Sequence, residues 1–407
     1  MDDDVISQGG DREPSPWPRR LGVIAAVIAV AVGGIVYLTQ PHGRPAASAA
    51  HPASSTPAAQ VTPSPVPVES PEFIRLPVGP NGIIGDTTPW EDSLRLPVSG
   101  TQPAWFWPAT GRSETIGGLP ADDSGYQFTR VGGGWAVQAN GTFCGGGDCA
   151  TPPSPVWFLA NGAASATPVG TADLVAPAAS TGALWLTSYF PTANTDTGPG
   201  LAREVSSTGA QLGRSVRLPR GSIIDQATDR GLLLISAGQQ SGKSVYTLWN
   251  PASGKVTRTF DNVIAASATD VAWTSECNPT TCRVQMLDLA TGAQTAVGLP
   301  SGNSPAGASF SPSGRLLALQ LSYGLEGGLA MRLDVATVAT GRLTEVPRTS
   351  VSSDALFAFG WPTEGDNLVA EFTFMPTMQV TSWHPGASRL AVSVLKSGHT
   401  QASLIVG

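Results

Sequence analysis

The residues of this chain best placed to do chemistry are four cysteines in two CxxxxC pairs, Cys144 with Cys149 and Cys277 with Cys282. A pair that closes a loop of about six residues can oxidise to a local disulfide worth about 2 kcal/mol on the chain-entropy account. Even numbers of cysteines at matching places favour that outcome in an exported chain. Zinc also accepts four thiolates, but a shared site would need both loops to meet at one metal. Two local disulfides are therefore expected, with the shared zinc site as the sharper alternative.

Other patterns that suggest chemistry do not survive their context. Residues 237–244, AGQQSGKS, fit the loose phosphate-loop pattern, which works by leaving a strand and opening a helix whose amides hold phosphate. The next residues, VYTLWNPASG, reach a turn at Trp249-Asn250-Pro251 too soon for a helix. That segment reads as a hairpin tip. His384 and His399 are the histidines of the C-terminal region, and neither sits in an HExxH spacing. No GxSxG elbow is present. Adjacent acids occur beyond the stalk only at Glu91-Asp92 and Asp122-Asp123, and the oxygen-rich NTDTG of residues 194–198 holds a single carboxylate. No catalytic residue, cofactor or metal is expected. Trp135, Trp185 and Trp273 recur within similar apolar segments and are expected to pack between structural units. Trp90 and Trp361, beside prolines and outside that pattern, are the candidate ligand contacts.

What must position these residues is a repeat. A turn ending in a small residue and Gly recurs at Gly111, Gly162, Gly209, Gly254, Gly292, Gly341 and Gly386, with steps of 51, 47, 45, 38, 49 and 45 residues. One four-stranded propeller blade takes about 40 to 50 residues. Ahead of most of these turns lies an apolar run such as GGWAVQ, ALWLTS or GLLLIS, short and bounded by turn formers, which favours a strand. The pattern predicts an all-β, seven-bladed β-propeller over residues 73–407. Pro71–Pro77 and Ser403–Val406 compete to supply the strand that closes the ring.

Phe310–Leu319, FSPSGRLLAL, resembles the SP(D/S)G(K/R)xLA signature of WD40-like and TolB-type propellers. The full layout resembles that of membrane-anchored propeller proteins of actinobacteria. This resemblance implies the fold and carries no functional site with it.

The 407 residues carry a net charge of -7 with 13% charged residues, which disfavours nucleic acid as a partner. From Leu21 to Thr39 runs an uncharged apolar segment of 19 residues, long enough for a transmembrane helix. Arg12, Arg19 and Arg20 precede it and only Arg44 follows closely, so the positive-inside rule puts the N-terminus in the cytoplasm. A cleaved signal peptide ending near Ala47-Ser48-Ala49 is the rival reading. The expected organisation is a cytoplasmic tail over 1–20, the helix over 21–39, a Pro/Ala/Ser-rich linker over 40–72 and an extracytoplasmic propeller over 73–407. Because groups able to do chemistry look scarce, the expected function is a non-catalytic protein-interaction or ligand-sensing module. Its partner would be an unidentified envelope protein or ligand. The alternative is a propeller enzyme acting on cell-envelope glycans or peptides.

Overall fold

The computed structural model describes residues 73–74, 95–99, 103–110, 112–120, 125–140, 153–189, 200–236, 244–278, 280–325, 328–347, 349–352, 356–362, 365–374, 377–388, 390–396 and 403–404. Residues 1–69 form one unit and 70–407 another. The expected helix over 21–39 and the linker lie outside the described residues.

Among the described residues, the strands form seven antiparallel sheets, one per repeat, which is a seven-bladed propeller. Blade two shows the plan, with Tyr126–Val131, Gly134–Ala139, Ser154–Ala160 and Thr167–Ala172 following one another from the ring axis outwards. The apolar run of the repeat is the second strand, and the recurrent glycine closes the turn between the third and fourth. Six of the seven glycines have φ between 67° and 85°. That left-handed conformation is open to glycine at little cost, which is why the repeat is legible at all. Gly111 lies outside the described residues.

Blade three comprises Leu174–Pro177, Ala183–Tyr189, Gly200–Ser206 and Gln211–Arg217; blade four comprises Ser222–Thr228, Gly231–Ser236, Val245–Asn250 and Lys255–Asp261. Blade five is Val263–Ala266, Asp270–Ser275, Arg283–Asp288 and Gln294–Gly298; blade six is Asn303–Phe310, Leu316–Leu325, Gly328–Thr337 and Leu343–Glu345. The first strands of blades two, three and four pack against one another in turn, as do those of blades five and six, so these strands line the axis.

The two candidate closing segments do not compete, because each joins a different blade. Ser403–Leu404 pairs with Leu96–Ser99 and is the innermost strand of blade one, followed outwards by Ala104–Trp107 and Arg112–Thr115. Phe73–Ile74 pairs with Ala391–Lys396 on the outer edge of blade seven, beyond Thr377–Trp383, Leu368–Phe374 and Leu356–Gly360. Both chain ends thus complete the ring.

The core sits between blades. Trp105 and Ile116 of blade one meet Trp135, Val137, Trp157 and Leu159 of blade two. Ala183 and Trp185 of blade three meet Ile224, Leu234 and Trp249 of blade four. Each blade is covered on both faces by its neighbours, so its second strand reads as a near-continuous apolar run. The signature Ser311–Gly314 forms the turn between the first two strands of blade six. Ser311 is buried, its Oγ accepts from the Leu316 amide, and Ser313 and Arg315 both donate to Asp366 of blade seven. This motif fastens neighbouring blades together.

Candidate functional site

Strands on the axis have one edge paired within their blade and the other turned to the ring centre, so their backbone amides and any outward side chain define the channel wall. Among the described residues, the innermost strands carry only two ionisable side chains apart from tyrosine, Arg130 and Asp225. Arg130 is committed to structure. Its Nη1 donates to Gly134 O and Asn161 Oδ1, both at 2.9 Å, and its guanidinium lies over Trp135 at 5.2 Å.

Asp225 differs. Ile224 pairs with Leu234 and Gln226 with Leu233, leaving Asp225 as the extra residue of a β-bulge in the first strand of blade four. A bulge re-aims the side chain it carries and is over-represented beside functional sites. The Asp225 side chain is open to solvent, yet enclosure by protein pushes its pKa up to about 6. Tyr246, on the third strand of the same blade, is pushed up to about 12, first by burial and then by the charge of Asp225. The phenol therefore stays neutral beside the carboxyl. Among the described residues, no side chain donates a hydrogen bond to Asp225.

A second raised carboxyl, Glu371, is pushed up to about 7 by burial. It is 8% exposed and lies on the second strand of blade seven, on the face opposite Leu368, Ala370 and Phe372. That face is turned to blade one, so Glu371 belongs to a blade seam and is not a channel group.

Cys277 and Cys282 are joined, with their Cα atoms 4.0 Å apart, in the connection between the second and third strands of blade five. Cys144 and Cys149 lie outside the described residues, but they fall between Gly134–Ala139 and Ser154–Ala160, the same connection in blade two. A shared zinc site loses two of its ligands to the Cys277–Cys282 bond. Among the described residues, no group of three or more His, Cys, Asp or Glu is placed to hold a metal. Replacing both Cys277 and Cys282 with serine should lower stability by about 2 kcal/mol, read as a difference in denaturant midpoint between wild type and variant that disappears when both are reduced.

Trp361 is not a ligand contact. It is 2% exposed, packs with Leu333, Val335 and Trp383, and donates its indole N–H to Ser309 O at 3.0 Å. With its ring and its donor both used, it offers nothing to a ligand. Trp90, the acid pairs at 91–92 and 122–123, residues 194–198 and His399 lie outside the described residues. His384 is exposed, with Nδ1 2.7 Å from Asn367 Oδ1. Ser236 pairs directly with Val245, so residues 237–244 connect adjacent antiparallel strands and no helix follows them. A phosphate loop is excluded by that topology. Asp225 escaped the sequence reading because a lone Asp in SIIDQAT carries no signal of the bulge that turns it outwards.

No protein-family model matches the chain, and no curated protein matches it. Solved structures do resemble it. A prolyl endopeptidase is 12% identical with a TM-score of 0.49, covering 79% of this chain and 50% of that one. Prolyl oligopeptidase B from Galerina marginata, bound to a hydrolysis and macrocyclization substrate, is 9% identical with a TM-score of 0.46, covering 74% of this chain and 48% of that one. The β-propeller domain of the Trilobed protease from Pyrococcus furiosus is 9% identical with a TM-score of 0.44, covering 67% and 86%. The chain spans about half the length of the two prolyl peptidases. At these identities the likeness concerns the fold.

The expectation of a non-catalytic interaction or sensing module is corrected here. It rested on a scarcity of groups able to do chemistry, whereas Asp225 is a solvent-open carboxyl whose pKa is raised towards neutrality. That leaves no ground for excluding catalysis.

Proposed function

We propose that the chain is an extracytoplasmic propeller enzyme, tethered by the helix over 21–39, that acts on peptides of the cell envelope with Asp225 as its acid–base group. The observation that carries this reading is Asp225 at the bulge of an innermost strand, its pKa pushed up to about 6 by burial. A catalytic acid or base works best with a pKa near the operating pH. Peptides are favoured over glycans for two reasons. Glycoside hydrolysis ordinarily uses a pair of carboxylates, and the described innermost strands hold one. The free edges of those strands also present backbone amides and carbonyls, which match an extended peptide. The neutral Tyr246 phenol adds a donor that does not compete for the proton on Asp225.

The test is to incubate the purified full chain with a defined mixture of envelope-derived peptides and follow new fragments by mass spectrometry. Turnover should fall at least about 100-fold in Asp225→Asn, the lower range for loss of an acid–base group, with the melting temperature retained. If Asp225 works as a base, wild-type activity rises with pH through about 6, and the limb is absent from the residual activity of the variant. Wild-type chain that releases no fragment, or Asp225→Asn that turns over at the wild-type rate, overturns the proposal.

A further inference from the structure

Away from the channel, blade one carries a cluster of arginine and tryptophan that packing alone does not use up. Arg95 immediately precedes Leu96–Ser99, Trp107 ends Ala104–Trp107 and Arg112 opens Arg112–Thr115. The Arg95 guanidinium lies 4.9 Å from the Trp105 ring centroid and 5.5 Å from that of Trp107. Arg112 covers Trp107 at 4.1 Å. Trp105 is fixed by its indole N–H, which donates to Ala163 O of blade two at 2.6 Å. Gly162 lies beneath Arg95, and a Cβ there would overlap its Nη2. The site therefore spans the seam of blades one and two, beside the turns between their third and fourth strands.

Arg95 is half-buried, and this desolvation lowers its pKa, with Glu114 opposing the effect and Arg112 adding to it. Among the described residues, nothing accepts a hydrogen bond from its guanidinium and no carboxylate pairs with it. Glu114 is the acid whose charge acts on it, but its Oε2 pairs with Arg112 Nη2 at 3.1 Å. Trp107 is half-buried, and among the described residues its indole N–H has no acceptor. A guanidinium has five N–H donors in one plane. Here the aromatic rings occupy its environment without satisfying any of them, since cation–π contacts leave the donors open. None of these donors is among the buried unpartnered atoms, so solvent reaches them, and a bidentate anion is the partner that matches the fork.

We propose that Arg95, supported by Trp105, Trp107 and Arg112, is a binding site for an oxyanion group, either a carboxylate or a phosphate, on the seam of blades one and two. Arg95 supplies the planar fork and Arg112 adds positive potential. Trp107 contributes an N–H donor and an apolar floor. The site stands independently of the channel reading, because it uses no residue of the channel wall.

The experiment titrates the full chain with sodium acetate and, separately, inorganic phosphate, against sodium chloride at matched ionic strength. The readout is the indole N–H resonance of Trp107, assigned by its loss in Trp107→Phe. A saturable shift with acetate or phosphate, exceeding that with chloride, is expected, and the anion that saturates identifies the source. Arg95→Lys keeps the cation over the rings but removes the fork, so it should weaken binding at least tenfold while the ligand-free melting temperature holds. Arg112→Gln, at a surface position, should weaken it severalfold. A packing cluster alone predicts no saturation beyond chloride, and that result overturns the proposal. So does an Arg95→Lys variant that binds as the wild type does.

Discussion

Replacing Trp135 with alanine should destabilise the propeller by about 4 kcal/mol, within the range for removing a buried large aromatic side chain. Trp135 is 1% exposed in the seam of blades one and two, against Trp105, Tyr126, Trp157 and Leu159. Alanine would leave a cavity walled by side chains that are themselves pinned. Arg130 holds Gly134 O and Asn161, and the Trp105 indole holds Ala163 O, so collapse into the space is restricted. Trp185, 8% exposed among small alanines in the seam of blades three and four, should cost somewhat less. Trp273 should cost least, because it is only partly buried beside Phe260, at 5.3 Å between ring centroids. Denaturant midpoints of the three single variants at constant pH check the order. Equal losses would mean that the three positions are equivalent in packing, as their similar places in the sequence suggest.

They are not equivalent, and the reason marks how far the sequence was legible. Trp135 is the second residue of its strand, Trp185 the third and Trp273 the fourth. Side chains alternate across a sheet, so a one-residue offset turns a side chain to the opposite face. Trp135 and Trp273 accordingly face the preceding blade, and Trp185 faces the following one. The seven-fold repeat was readable because six of its turns, among the described residues, hold a left-handed glycine, which is a local requirement of one residue. Strand register is set by pairing with a neighbour, and both faces of each blade are apolar, so no alternation of polar and apolar residues betrays it. The same limit hid Asp225, whose orientation depends on a bulge defined against Leu233 and Leu234. It also misassigned Trp361, since a proline neighbour looked like a loop where the chain is in fact packed between blades six and seven. Arg95 was passed over because its significance lies in what surrounds it, two indoles contributed by another strand.

The stability of the ring should fall as pH rises from about 4.5 to 7, and Glu371 should account for most of that slope. Its pKa is raised from 4.5 to about 7 by burial alone, and among the described residues it has neither a cation nor a hydrogen-bond donor facing its carboxyl. Ala358 and Val380 flank it in register on the neighbouring strands. The folded protein thus keeps the proton to higher pH than the unfolded chain does. Stability is full below the unfolded pKa and declines as pH climbs towards the folded one. A shift of this size corresponds to roughly 3 kcal/mol. Asp225, also raised, adds to the slope in the same direction but is open to solvent, and Asp270 and Asp334, raised by burial against opposing hydrogen bonds and, for Asp334, the Arg332 charge, add to it as well. Urea midpoints at pH 5 and pH 8 should therefore differ clearly in the wild type and much less in Glu371→Gln, which cannot ionise. Glu371→Leu should be more stable than the wild type at pH 8, since an apolar side chain in that seam has no charge to desolvate. If Glu371→Gln retains the full wild-type slope, the titrating group lies elsewhere. If the slope flattens, the seam between blades seven and one, where both chain ends are sewn into the ring, is the part of the propeller that ionisation loosens first.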